Sequence, residues 1–185
     1  VYHRKHGICN TNVFISNEDI RKVLDKIAGF TGKKITVETP LFDGRLPDGS
    51  RVNATIPPAS PDGPTITIRK FLRDPLTIVD LINNGTINST VGAYLWIWVE
   101  GLRYRPSNII LAGGSSSGKT TTLNVLGMFI PIEERLLTIE DAAELQLEHE
   151  HWIRLESVPP TAGGYEVTMD SLLKNTLRMR PDRII

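Results

Sequence analysis

Apolar and polar positions change their period along the chain. Across residues 16–29 the apolar side chains recur at helical spacing: Ile20, Val23, Leu24, Ile27 and Ala28 form one stripe. Ser16 and Asp19 stand at N-cap spacing, and Gly29 occupies the place of a C-cap glycine. Short alternating segments follow at 35–37 and 51–56, the second entered through the turn tripeptide Pro47-Asp48-Gly49. Pro57, Pro58, Pro61 and Pro64 interrupt the chain before 65–69, where strict alternation predicts a strand. One helix with several antiparallel strands predicts a small α+β unit.

The pattern changes after Arg73-Asp74-Pro75. Helices are expected near 78–82, 90–103, 119–129 and 169–178, with strands at 108–112 and 135–139. Such alternation predicts an α/β fold with a parallel sheet and crossover helices. The expected layout is a partial N-terminal α+β domain over 1–72, a linker over 73–78, and a partial α/β domain over 79–185. The competing reading of the boundary is a proline-rich loop inside a single domain. Arg183, Ile184 and Ile185 look like the opening of a buried strand, so the chain reads as a fragment.

Composition narrows the class. Of 185 residues, 40% are hydrophobic and 23% charged, enough apolar area to fold and unlike a disordered chain. The longest apolar run, residues 93–99, falls far short of the roughly 20 residues a helix needs to span a bilayer. Lys plus Arg and Asp plus Glu each number 21, and this zero balance argues against binding nucleic acid by phosphate neutralisation. One cysteine, Cys9, cannot form an internal disulfide, which fits a reducing cytoplasmic compartment.

The sharpest chemical signal is Gly113-Gly114-Ser115-Ser116-Ser117-Gly118-Lys119-Thr120, followed by Thr121, which matches G-x-x-x-x-G-K-[ST]. Small residues let successive backbone amides turn inward around phosphates. A helix beginning at Lys119 adds the positive end of its dipole. In such a loop Lys119 reaches the β- and γ-phosphates of ATP, and Thr120 places a hydroxyl on Mg²⁺. The apolar run Ile109-Ile110-Leu111-Ala112 before the loop and the helical segment after it supply the expected strand–loop–helix context.

A second cluster, Glu140, Asp141 and Glu144, follows the apolar run Leu136-Leu137-Thr138-Ile139. Carboxylates beyond the end of a parallel strand can orient a water for attack on the γ-phosphate or hold a metal's hydration shell. Equally, acids there can cap and solvate the start of a helix. Sequence pattern leaves both open.

Together the phosphate-type loop, Thr138-Ile139-Glu140-Asp141-Ala142-Ala143-Glu144-Leu145 and Arg178-Met179-Arg180-Pro181-Asp182-Arg183-Ile184-Ile185 resemble the secretion ATPases of type II and type IV systems. The resemblance is nearest to archaeal and tight-adherence branches that drive pilus or archaellum assembly. Gly49-Ser50-Arg51-Val52-Asn53-Ala54 and Thr67-Ile68-Arg69-Lys70-Phe71 resemble that family's N-terminal domain and linker. The resemblance implies a RecA-like P-loop domain, a hexameric ring and an ATP-hydrolysing motor. Its place would be the cytoplasmic face of the membrane, on a platform protein of the inner membrane. It assigns Glu140, Asp141 and Glu144 to the acidic box. It puts Arg51 and Arg69 where related enzymes bring arginines to nucleotide phosphates at a domain or subunit boundary. In the family the Arg-Pro-Asp-Arg-Ile-Ile segment continues into a Walker B strand with a Gly-Glu pair and then a histidine box, both beyond Ile185. Ser115 and Ser116 replace residues that relatives often carry as Thr and as Gly or Ala.

Weaker signals remain. His149-Glu150-His151 can present two imidazoles on one face of a strand, without a third ligand nearby. Tyr94, Trp96 and Trp98 read as packing or interface residues, or else as a platform for a nucleotide base. The alternatives to an ATP-driven motor are a small-molecule kinase on the same loop and a non-catalytic nucleotide-gated interaction module.

Overall fold

The computed structural model describes residues 1–3, 6–70, 75–160, 164 and 166–185. The chain divides into two compact units, Val1–Leu72 and Arg73–Ile185. Arg73 and Asp74, inside the expected linker, and Phe71 lie outside the described residues.

The first unit opens with a small antiparallel ribbon, β1 (Tyr2–His3) against β2 (Gly7–Ile8). Helix α1 (Asn17–Thr31) follows, and Ser16 caps it by accepting the Asp19 amide on its hydroxyl at 3.1 Å. The helix runs past Gly29 and ends at Gly32, whose φ of 67° is the left-handed conformation that terminates helices. Gly29, expected as the C-cap, lies inside the helix, which Phe30 and Thr31 continue. Three strands then form one antiparallel sheet in the order β3–β4–β5: β3 (Leu41–Arg45), β4 (Arg51–Thr55) and β5 (Thr65–Arg69). The turn between β3 and β4 closes through Leu46 and Ser50, and the Ser50 amide donates to Asp48 Oδ1 at 3.0 Å.

Alternation puts Phe42, Val52, Ala54 and Ile66 on the face that meets Leu24, Ile27 and Ala28 of α1, and this is the core of the unit. The segment 35–37 is not a strand. Ile35 is buried in this core, but Thr36 and Thr39 bond each other's backbone, closing a bend instead of joining a ladder. Strand β3 carries little alternation signal because Asp43 and Gly44 interrupt it; it forms because β4 supplies a full ladder.

The second unit contains α2 (Ile78–Asn83), α3 (Ser89–Glu100) with a short 3₁₀ turn at Gly101–Arg103, and α4 (Lys119–Gly127). Strands β6 (Leu136–Glu140) and β7 (Trp152–Glu156), helix α5 (Met169–Thr176) and strand β8 (Arg183–Ile184) complete it. Its sheet is parallel, in the order β7–β6–β8. Leu136, Leu147, Leu126, Ile130 and Val99 make its core, with Leu111, Trp152 and Ile185 packed around them.

Not every expectation holds here. Residues 108–112 form no strand, although their apolar run reads as a buried one. Ile110 is 91% exposed. Ser107, Asn108 and Ile109 line a cleft of about 290 Å³ together with residues 182–185, and the segment has no ladder partner. Strand β7, where Ile153-Arg154-Leu155-Glu156 alternates apolar and charged, was not among the expected strands; it pairs in parallel with β6 along all five residues. His149 and His151 precede β7 in a turn rather than sharing a strand face. The aromatic residues of α3 are half exposed, not core: Trp98 is 50% exposed and its ring lies 6.1 Å from that of Tyr94, while Trp96 stacks on Phe129 at 5.9 Å.

Among the described residues, no helix is long and apolar enough to cross a membrane.

Candidate functional site

The glycine-rich loop, Gly113 to Gly118, runs exposed into α4. Gly118 is the N-cap of that helix, with φ of 88°, and no side chain caps the helix start. The first amides of α4 therefore lack the side-chain acceptor that α1, α2 and α3 each have at their N-caps. Ser117 turns its hydroxyl back onto the Gly114 carbonyl at 2.9 Å. A Cβ at Gly113 would stand 2.6 Å from Ser117 Oγ, so the turn needs glycine there. Lys119 folds its ammonium over the loop and donates to the Gly113 and Gly114 carbonyls at 2.9 and 2.5 Å. Ser116 takes φ of 58°, a left-handed conformation at a non-glycine residue. Ser115 and Thr120 are exposed and Thr121 half-buried on this same stretch. The loop thus exposes backbone donors, and its one cation bonds the loop's own carbonyls.

The acidic residues sit on and just after β6. No helix starts among residues 141–149, so the helix-cap reading of the cluster falls. The crossover from β6 to β7 is an extended loop instead. Glu140 shapes it: Oε2 accepts the amides of Glu144 at 2.6 Å and Leu145 at 2.9 Å, while Oε1 is buried without a partner. Asp141 is exposed, and its carboxylate accepts the Ser157 hydroxyl at 2.7 Å. Glu144 is half-buried. The loop is also held by Arg154, which donates to the Leu145 carbonyl at 3.1 Å and lies over the Trp152 ring at 4.6 Å. Buried Asn124, from α4, accepts the Gln146 amide at 2.9 Å.

Arg51 and Arg69 lie in the first unit, paired directly across β4 and β5. Arg45 pairs with Arg51 on the other side, so three arginines form one row across the sheet. The sequence analysis missed Arg45, although its position six residues before Arg51, on the other arm of the Pro47-Asp48-Gly49 turn, carried the register. Asn124 was missed too. Its signal was a polar residue set between Leu123 and Val125-Leu126 on a helix. Lys119, Thr120, Glu140, Asp141 and Glu144 all belong to the second unit, and the arginine row to the first.

Among the described residues, no three His, Cys, Asp or Glu side chains gather as a metal cage. His149 Nε2–H donates to the Pro131 carbonyl at 3.0 Å, and its Nδ1 is buried without a partner.

Loop, acidic crossover and parallel strands define an α/β protein with a glycine-rich loop opening a helix. The pattern that describes type II/IV secretion system proteins matches residues 5–185, and the chain belongs to that family. The match reaches back well before Gly49, the first residue of the segments that carry the resemblance in sequence. An uncharacterized protein of Methanocaldococcus jannaschii, MJ0781, is 49% identical over 187 residues, covering 100% of this chain and 26% of that protein. Protein VirB11 of Agrobacterium fabrum is 31% identical over 198 residues, covering 92% of this chain and 56% of VirB11. The crystal structure of the VirB11 ATPase from the Brucella suis type IV secretion system is 28% identical, with a TM-score of 0.40 over 92% of this chain and 56% of that one. The chain thus spans between about a quarter and about half the length of these relatives.

Proposed function

We propose that residues 79–185 are part of a RecA-like P-loop domain that binds MgATP and hydrolyses it. In this reading residues 1–72 are part of a smaller N-terminal domain and 73–78 the linker. The observation that carries the proposal is the uncapped N-terminus of α4, reached through a glycine in the left-handed conformation and followed at once by Lys119. Open amides, a helix dipole and a cation on one bend match the chemistry of a polyphosphate.

In that site the amides of residues 113–121 hold the phosphate oxygens. Lys119 leaves the Gly113 and Gly114 carbonyls for the β- and γ-phosphates, exchanging neutral acceptors for charged ones. Thr120 Oγ1 is the residue that would hold Mg²⁺, which when bound neutralises charge on the phosphate oxygens. Hydrolysis adds water to the γ-phosphorus and breaks its bond to the bridging oxygen, giving ADP and phosphate. Glu144 is assigned to take the proton of that water, with Glu140 and Asp141 fixing the crossover that carries it. Arg51 and Arg69 supply guanidinium groups of the kind that offset charge in phosphoryl transfer.

Family membership supports extending this to a motor subunit that assembles as a homo-oligomeric, hexameric ring. In this reading the ring works on the cytoplasmic face of the membrane, docked on a platform protein, and drives secretion or filament assembly. Calorimetry with MgATP tests the core of the proposal: Lys119→Ala should weaken binding by about tenfold or more, roughly 1.4 kcal/mol. Unchanged affinity in that variant refutes the site.

A further inference from the structure

The contacts between α4 and the acidic crossover point to a residue outside the loop and the acidic cluster. Asn124 is buried, 9% exposed, near the middle of α4, a position where an apolar residue would ordinarily pack. Its side-chain oxygen accepts the Gln146 amide at 2.9 Å, so a buried polar group on the helix is matched to a backbone donor on the crossover. One turn further along α4, Gly127 meets Leu147 so closely that a Cβ there would stand 2.4 Å from Leu147 Cδ2. Two successive crossover residues thus touch α4 in the order of the helix. These two contacts follow the direction of the helix, from Asn124 to Gly127 as the crossover goes from Gln146 to Leu147.

Asn124 and Thr120 are four residues apart, on one helix face and about 6 Å apart along the axis. Glu144 lies two residues before Gln146, a span of about 7 Å of extended chain. We infer that Asn124 is a positioning residue that locks the Glu140–Glu144 crossover in register with the phosphate loop's helix. Through it the carboxylates and the first turn of α4 move as one body. The inference rests on the nucleotide reading of the loop and adds a residue that neither the motif nor the acidic cluster includes. Glu140 performs the complementary task from the β6 side, holding the amides of Glu144 and Leu145. The crossover is therefore tied both to β6 and to α4, and the Asn124 tie is a hydrogen bond to the helix.

Two variants of the full-length protein separate positioning from mere folding. Asn124→Leu keeps the branched outline of the side chain, favours the helix if anything, and deletes the acceptor. Asn124→Asp keeps an acceptor oxygen in the same place. Hydrogen exchange measured with and without MgATP reads the tie directly, and steady-state kinetics reads its consequence. In Asn124→Leu the Gln146 amide should lose protection. MgATP should still protect residues 113–121 but no longer protect 140–147, and kcat should fall about 10- to 100-fold with nucleotide affinity within about twofold. Asn124→Asp should restore both the protection and most of kcat. The inference is overturned if Asn124→Leu matches the unaltered protein, or if the two variants are equally impaired. If the unaltered protein gains no protection from MgATP at 113–121, the nucleotide reading itself falls and takes this inference with it.

Discussion

Arg183 grips Glu134 through two nitrogens, Nε and Nη2 each meeting one carboxylate oxygen, and so fastens β8 to the turn that leads into β6. The neighbouring Asp182 completes the fastening: its carboxylate accepts the Arg135 amide at 2.7 Å, and its own amide donates to the Arg135 carbonyl. The Arg-Pro-Asp-Arg segment is thus a structural clasp on the sheet that carries the acidic crossover.

Breaking the clasp should destabilise the second unit. The Arg183 side chain is only 12% exposed and that of Glu134 28%, so removing the carboxylate leaves a nearly buried cation unpaired. Glu134→Ala should cost about 2–3 kcal/mol, below the 3–5 typical of fully buried pairs because water reaches Glu134. Urea denaturation measures it, and Glu134→Leu combined with Arg183→Met should recover part of the loss.

Glu144→Gln keeps the backbone amide that bonds Glu140 and removes only the side-chain base. In the full-length protein, hydrolysis should slow by about 10²-fold or more with MgATP affinity nearly unchanged. Equal turnover would leave Glu144 a half-buried carboxylate without a part in the chemistry.

Gly118→Ala places a Cβ on a residue with φ of 88°. The left-handed conformation costs a non-glycine residue about 1–2 kcal/mol, part of it returned by a less mobile unfolded chain. A net loss near 1 kcal/mol is expected in denaturation, together with weaker binding of MgATP because the loop's amides turn away. Stability and affinity both unchanged would mean that the loop takes another conformation.

The N-terminus of α2 should respond to acid. The Thr77 amide and then the Thr77 hydroxyl donate to Asp80 Oδ2, at 2.8 and 2.7 Å, and hold the Asp80 carboxyl below its ordinary value. A lowered folded pKa means that this stabilisation is fully present above the ordinary aspartate value of about 3.9 and is lost as pH falls through the lower folded value. An NMR titration of Asp80 should show the depressed midpoint, and Thr77→Ala should move it upward.

Much of this structure was legible beforehand. The α1 stripe, the Ser16 cap and the strands at Arg51–Thr55 and Thr65–Arg69 followed from period and capping chemistry, which act within a few residues. The glycine-rich loop was legible for the same reason, because Gly113 and Gly118 answer local backbone demands. Strand β3 was not, since its pairing with β4 decides it; β7 and the bend that Thr36 and Thr39 close carried local signals that the expected elements did not include.

The acidic crossover shows where the division falls. Its composition announced carboxylates after an apolar strand, and nothing in the residue order distinguished a helix cap from an extended loop. Bonds from Glu140, Asn124 and Arg154 chose the loop, drawing on β6, α4 and β7 at once. Residues 108–112 make the converse point: a good strand pattern does not by itself make a ladder. Local periodicity, caps and turn chemistry were written in the order of residues, because those forces span a turn or a hairpin. Which apolar segment joined the sheet, and which polar side chain tied helix to crossover, depended on groups brought together only by the folded chain.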